Sequence, residues 1–172
     1  MRAIKILFLS AFLCCCHSAD DMLILFERDG AVDVSSLLTD DDNSMLECYK
    51  YIPGKFVKKK ILLKNSKIVL EKHIRNDAYV PRNIRGRGVL EKGKNKRFFN
   101  DINKMELITD DDMFVLCYEI YIYDQGKLIT VFRTNGIDFY DRKNKLMYYL
   151  DLDSKGDLLH RYWGIFEENH CR

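Results

Sequence analysis

A mainly β fold of antiparallel meander sheets is what this sequence predicts, and three observations carry the expectation. Residues 113–123, 127–133, 137–141, 146–152 and 158–166 are runs rich in Ile, Val, Leu, Tyr and Phe, side chains that fit a pleated, half-buried surface. Turn chemistry joins them at Asp124-Gln125-Gly126, Thr134-Asn135-Gly136, Arg142-Lys143-Asn144-Lys145 and Asp153-Ser154-Lys155-Gly156. Asn135-Gly136 is the sharpest joint, because a type I′ turn needs positive φ at two residues and Asn-Gly adopts it readily. Finally, an acidic triplet followed by a Cys-Tyr strand occurs twice, at Asp40–Asp42 with Cys48-Tyr49 and at Asp110–Asp112 with Cys117-Tyr118.

Taken in order, the chain opens with Arg2 and Lys5, an apolar run over residues 4–16 and a small-residue exit at Cys16-His17-Ser18-Ala19. This reads as a secretory signal over residues 1–18, cleaved after Ser18. The run falls short of the roughly 20 residues that a membrane span needs. Cys14, Cys15 and Cys16 leave with the signal, so Cys48, Cys117 and Cys171 remain, and two of the three can form one disulfide in an oxidising compartment. Residues 20–34 read as a hairpin, with strands at 23–26 and 31–34 about Asp29-Gly30.

The repeated pattern extends beyond the triplets. Gly54-Lys55-Phe56 parallels Gly126-Lys127-Leu128, and Asn65 parallels Asn135, at offsets of 72 and 70 residues. Near-constant offsets predict tandem β units of roughly 70 residues. The first unit should then be a second meander, with strands at 61–63 and 67–70 turning at Asn65-Ser66. Two meanders packed as a sandwich, or closed into a barrel, would share one core. The expected organisation is a signal at 1–18, a first unit at 19–80, a connector at 81–100 and a second unit at 101–172.

The connector carries most of the chemistry. Residues 79–99 hold Pro81, three glycines and Arg82, Arg85, Arg87, Lys92, Lys94, Lys96 and Arg97, against the single acid Glu91. Glycine and charge at this density predict an exposed loop. Phe98, Phe99, Ile102 and Met105 then suggest one short helix, the only one expected. Residues 53–104 contain 16 basic and 4 acidic residues, whereas the chain beyond residue 18 balances 26 against 26. A neutral but dipolar molecule results, whose middle attracts anions. In a secreted protein the matching anionic partner is a glycosaminoglycan-like chain or an anionic lipid sooner than nucleic acid. Lys96-Arg97 is also a dibasic pair that a processing protease could cut.

Other chemistry finds little footing. Asp40–Asp42 and Asp110–Asp112 read as strand-leading turns rather than Ca²⁺ ligands, since consecutive side chains on an extended chain diverge. The stretch from Asp151 to Gly156 mimics half an EF-hand loop but has Lys155 and Tyr162 at ligand positions. Beyond residue 18 the histidines are His73, His160 and His170, with no HExxH pair, no G-x-S-x-G and no phosphate-cradling glycine loop. His160 with Asp157 or Glu167 is a pairing that almost any sequence offers. No catalytic residue, metal or cofactor is therefore expected. Aromatics crowd the C-terminal half, and strand alternation predicts Tyr121, Tyr123 and Tyr148 as surface contacts.

The reading that follows is a secreted, non-enzymatic interaction protein that binds an extracellular protein or polyanion through exposed aromatics and the basic connector. The alternative is a small hydrophobic-ligand carrier of lipocalin-like barrel type. The Gly-x-Trp that marks lipocalins near the N-terminus is absent, and Trp163 is the sole tryptophan.

Overall fold

The computed structural model describes residues 21–29, 46–48, 55–74, 83–108, 113–115, 117–152 and 156–165. Their strands are β1 (Asp21–Asp29), β2 (Leu46–Cys48), β3 (Lys55–Leu63), β4 (Ser66–Ile74), β5 (Asn83–Val89), β6 (Glu106–Leu107), β7 (Met113–Val115), β8 (Tyr118–Asp124), β9 (Lys127–Thr134), β10 (Asp138–Asp141) and β11 (Leu146–Tyr149). Two short α-helices, α1 (Asn95–Ile102) and α2 (Leu158–Trp163), and a 3₁₀ turn at Lys92–Lys94 complete the described elements. Every ladder is antiparallel. Seven strands form one sheet in the order β5-β4-β8-β9-β10-β11-β6, while β1 pairs with β3 and β2 with β7 in two-stranded ribbons.

The run from β8 to β11 is the meander that the turn residues predict. Its tightest loop, however, is Gln125-Gly126, where φ is 50° and 80° between the paired residues Asp124 and Lys127. Both signs are those of a type I′ turn. At the expected site only Gly136 has positive φ, at 102°. Asn135 instead uses its side chain, with Oδ1 accepting from the backbone N–H of Ile137 at 3.0 Å and of Asp138 at 2.7 Å. That is an Asx turn, the competing use of the same residue.

Three further expectations give way. Residues 113–123 are not one strand: β7 pairs with β2, and β8 starts anew against β4 and β9. The fifth run, 158–166, is helical over Leu158–Trp163, so the short helices number two rather than at most one. Asp157 caps α2, accepting from the His160 N–H at 2.7 Å, and Gly164 closes it in the left-handed conformation at φ 66°. Those local signals outweigh the strand preference of Tyr162 and Trp163. Lastly, β3 and β4 flank Asn65 but do not pair with each other; β3 joins β1, and β4 lies between β5 and β8. The pairings of the first unit therefore differ from those of β8, β9 and β10. The second strand of the hairpin expected at 31–34 lies outside the described residues.

One face of the large sheet makes the core. Ile68 and Leu70 of β4, Ile120 and Ile122 of β8, Phe132, Phe139 and Tyr148 pack with Leu23, Leu25 and Leu63 of the ribbon. Phe98, Phe99 and Ile102 of α1 and Leu158, Leu159 and Tyr162 of α2 enter the same cluster. Spacings of three and four residues give α1 its apolar stripe. Asn103, just past α1, stitches it to the edge of β1: Oδ1 accepts from Ile24 N–H at 2.7 Å and Nδ2 donates to the Met22 carbonyl at 2.7 Å. Asp101 links the two helices, accepting from Arg161 Nη1 and from the Tyr162 hydroxyl, each at 2.7 Å. Among the described residues no ladder joins β5 to β6, and no helix is long and apolar enough to cross a membrane.

Candidate functional site

The opposite face of β5, β4 and β8 carries the polar chemistry. Register places Lys67 beside Tyr123, Val69 beside Tyr121 and Glu71 beside Glu119. On the other side of β4, Val69 faces Val89 and Glu71 faces Arg87. Because side chains alternate along a strand, one row of β4 reads Lys67, Val69, Glu71, His73, with the tyrosines along its flank.

At the Lys67 end lies an open cavity of about 640 Å³. Its cations are Lys67, Arg87 and Lys92, its aromatic is Tyr123, and Asn65 and Asn95 supply amides. Three elements set these groups. The turn at Asn65 is held by Asp124, whose Oδ1 accepts from Asn65 N–H at 2.7 Å. Lys92, on the 3₁₀ turn before α1, reaches Asn65 Oδ1 at 3.3 Å. Asn95, the first residue of α1, is buried and donates to the Ser66 carbonyl at 3.0 Å and to Ser66 Oγ at 2.7 Å. Its Oδ1 makes no hydrogen bond. Tyr121 and Tyr123 stack with ring centroids 6.4 Å apart and planes within 16°.

Toward the other end of the row the face becomes a buried charge cluster. Glu119, Arg133 and His73 are almost wholly buried, at 1 %, 2 % and 5 % exposure. Arg133 Nε donates to Glu119 Oε1 at 3.1 Å, and Arg142 Nη1 lies 3.6 Å from the same oxygen. Arg87 Nε lies 3.4 Å from Glu71 Oε1. His73 Nε2 lies 3.3 Å from Glu119 Oε2 and 3.9 Å from Glu71 Oε2. The Tyr121 hydroxyl donates to Glu119 Oε2. Burial, reinforced by the negative charge of Glu119 and Glu71, pushes that phenol far above its ordinary value, so it stays protonated and donating.

The sequence-derived candidates divide accordingly. Arg87, Lys92 and Tyr123 converge on the cavity, and Tyr121 sits beside it. The connector is not a loop: residues 83–89 form edge strand β5, and Lys96 and Arg97 lie exposed on α1. Glycines usually weaken a strand; here Gly86 and Gly88 face β4, and a Cβ on Gly88 would come within 3.1 Å of Trp163. Lys94 pairs with Glu91 at 3.2 Å. Arg82 and the side chain of Arg85 lie outside the described residues. Tyr148 is not a surface contact. It faces the core at 1 % exposure, accepting from Phe26 N–H at 3.2 Å, while its neighbour Tyr149 points outward. An error of one residue in strand phase reverses every side chain. Cys117 is buried, Cys48 lies opposite Met113 in the β2–β7 ladder, and Cys171 is outside the described residues. Asp40–Asp42 and Asp110–Asp112 are also outside them.

Sequence reasoning missed Lys67, Glu71, His73 and Glu119. Glu71-Lys72-His73 carried a signal, since residues two apart in a strand share a face. Glu119 joins them only through the β4–β8 register, 48 residues away in sequence. No protein-family model, curated protein or solved structure matches the chain.

Proposed function

We propose that this is a secreted, non-enzymatic interaction protein whose cavity holds an anionic group of a sulfated or carboxylated polysaccharide. The observation that carries the reading is the convergence of Lys67, Arg87 and Lys92 around one opening that Tyr123 also lines. Guanidinium and ammonium groups bind sulfate and carboxylate, Arg in a bidentate manner. An aromatic face gives a sugar ring a flat apolar platform. The apolar run at the N-terminus supports export, and two of Cys48, Cys117 and Cys171 would then form one bridge, to be found by peptide mapping without reduction.

Among the described residues the carrier alternative draws no support from the interior. Phe98, Phe99, Phe132, Phe139 and Tyr148 fill the space between sheet, ribbon and helices with buried rings.

Titration calorimetry with a heparin-derived oligosaccharide tests the proposal. Binding is expected to weaken at least tenfold in Lys67→Glu combined with Lys92→Glu, two exposed positions whose change leaves the core intact. Equal binding by wild type and variant would overturn it, as would turnover of the sugar.

A further inference from the structure

We infer that Glu71, His73 and Glu119 form a divalent-cation site of the zinc type. The three side chains come from adjacent strands β4 and β8, and one donor atom of each lies within 4.8 Å of the others. Nε2 of His73 is 3.3 Å from Glu119 Oε2 and 3.9 Å from Glu71 Oε2. Two donors at about 2.0–2.1 Å from a tetrahedral zinc are separated by about 3.3 Å. The existing spacing is thus close to that of a coordination shell, and small side-chain rotations complete it.

The second observation is His73 itself. It is 5 % exposed, yet neither Nδ1 nor Nε2 makes a hydrogen bond. A buried imidazole without a hydrogen-bond partner is costly, and this one directs Nε2 at two carboxylate oxygens.

The surroundings fit ligands held in place. Arg133 takes Glu119 Oε1, and Arg87 takes Glu71 Oε1, so each carboxylate presents Oε2 to the imidazole. Tyr121 donates to Glu119 Oε2 and restricts its rotation. Outer partners of this sort orient metal ligands. Charge also permits the ion. Arg133 is buried against Glu119, whereas Arg87 beside Glu71 and Arg142 beside Glu119 reach water and are screened. One imidazole and two carboxylates favour zinc over Ca²⁺ or Mg²⁺, which prefer all-oxygen shells. Three protein ligands leave a fourth position to water. Arg87 lines the cavity and holds Glu71, which marks the approach for the ion.

The test uses the full chain, purified from chelator and titrated with Zn²⁺ while the nitrogen signals of its labelled histidines are followed. One equivalent of Zn²⁺ is expected to move the Nε2 signal of His73, with Ca²⁺ and Mg²⁺ at the same concentration leaving it unmoved. His73→Ala is expected to weaken that binding by about 100-fold or more. If that variant fails to fold, Glu71→Gln serves, since its carboxylate lies nearest to solvent. An unmoved His73 signal in excess Zn²⁺ overturns the inference and leaves the imidazole only a polar neighbour of the carboxylates. Binding that survives the substitutions, or equal binding of Ca²⁺, overturns it as well.

Discussion

Arg133 and Glu119 show how far a single pair can govern this molecule. Both are almost fully buried and joined at 3.1 Å, and without Arg133 the buried Glu119 carboxylate keeps only the more distant Arg142 as a cationic arginine neighbour, at 3.6 Å. Arg133→Met is therefore expected to cost about 3–5 kcal/mol in urea denaturation. Gly136 is the second sensitive residue. Its φ of 102° disfavours any side chain, and a Cβ would approach Asp157 Cγ to 2.9 Å. Gly136→Ala should lower stability by about 1–3 kcal/mol, a loss that the same denaturation series measures.

Two aspartates set opposite pH dependences. Burial alone would raise the Asp101 carboxyl, but hydrogen bonds from Tyr162 and Arg161 outweigh it and hold the group below its ordinary 3.8. Its contribution is thus complete above that value and disappears as pH falls through the folded-state value. Burial raises Asp141 despite hydrogen bonds from Asn144 and Thr130. Stability from that group is present in acid and declines as pH rises from 3.8 through the folded value. Asp101→Asn should remove part of the stability lost on acidification below pH 3.8, seen as a flatter acid limb in melts across that range.

At the scale of elements, α1 and α2 matter more than their length suggests. Phe98 has no exposure and meets Phe99, Tyr162 and Trp163 edge-on, with centroids 5.3–5.9 Å apart. Phe98→Ala should cost about 3–5 kcal/mol, with the loss read from the denaturation midpoint. The sequence made β8 to β11 legible because short-range alternation and glycine turns specify hairpins locally. It also located α1 from Phe98, Phe99 and Ile102. It hid α2, because Leu158 to Trp163 suits either period and only the Asp157 cap and Gly164 decide. It misplaced the I′ turn because Asn135 can spend its side chain on an Asx turn. The strand at 83–89 was obscured by its glycines and charges, which an edge position tolerates.

Across the whole molecule, sequence separation decided what could be foreseen. Two sequence neighbours, β3 and β4, part to different sheets, while β4 and β8 meet through a register that no local pattern encodes. Charge segregation pointed to residues 53–104, and Lys67, Arg87 and Lys92 from that range do reach the cavity; Tyr123 arrives there from β8. Electrostatic attraction of this kind is screened by salt. Affinity for a sulfated oligosaccharide should fall as salt rises, and each cation removed from the cavity should lower the salt slope by about one.

The most direct measurement is a crystal structure of the chain soaked with a heparin-derived tetrasaccharide. A sulfate or carboxylate within hydrogen-bond reach of Lys67, Arg87 and Lys92, with a sugar ring against Tyr123, is the predicted result. A saccharide bound instead along Lys96 and Arg97 on α1, or no bound saccharide at saturating concentration, would contradict it.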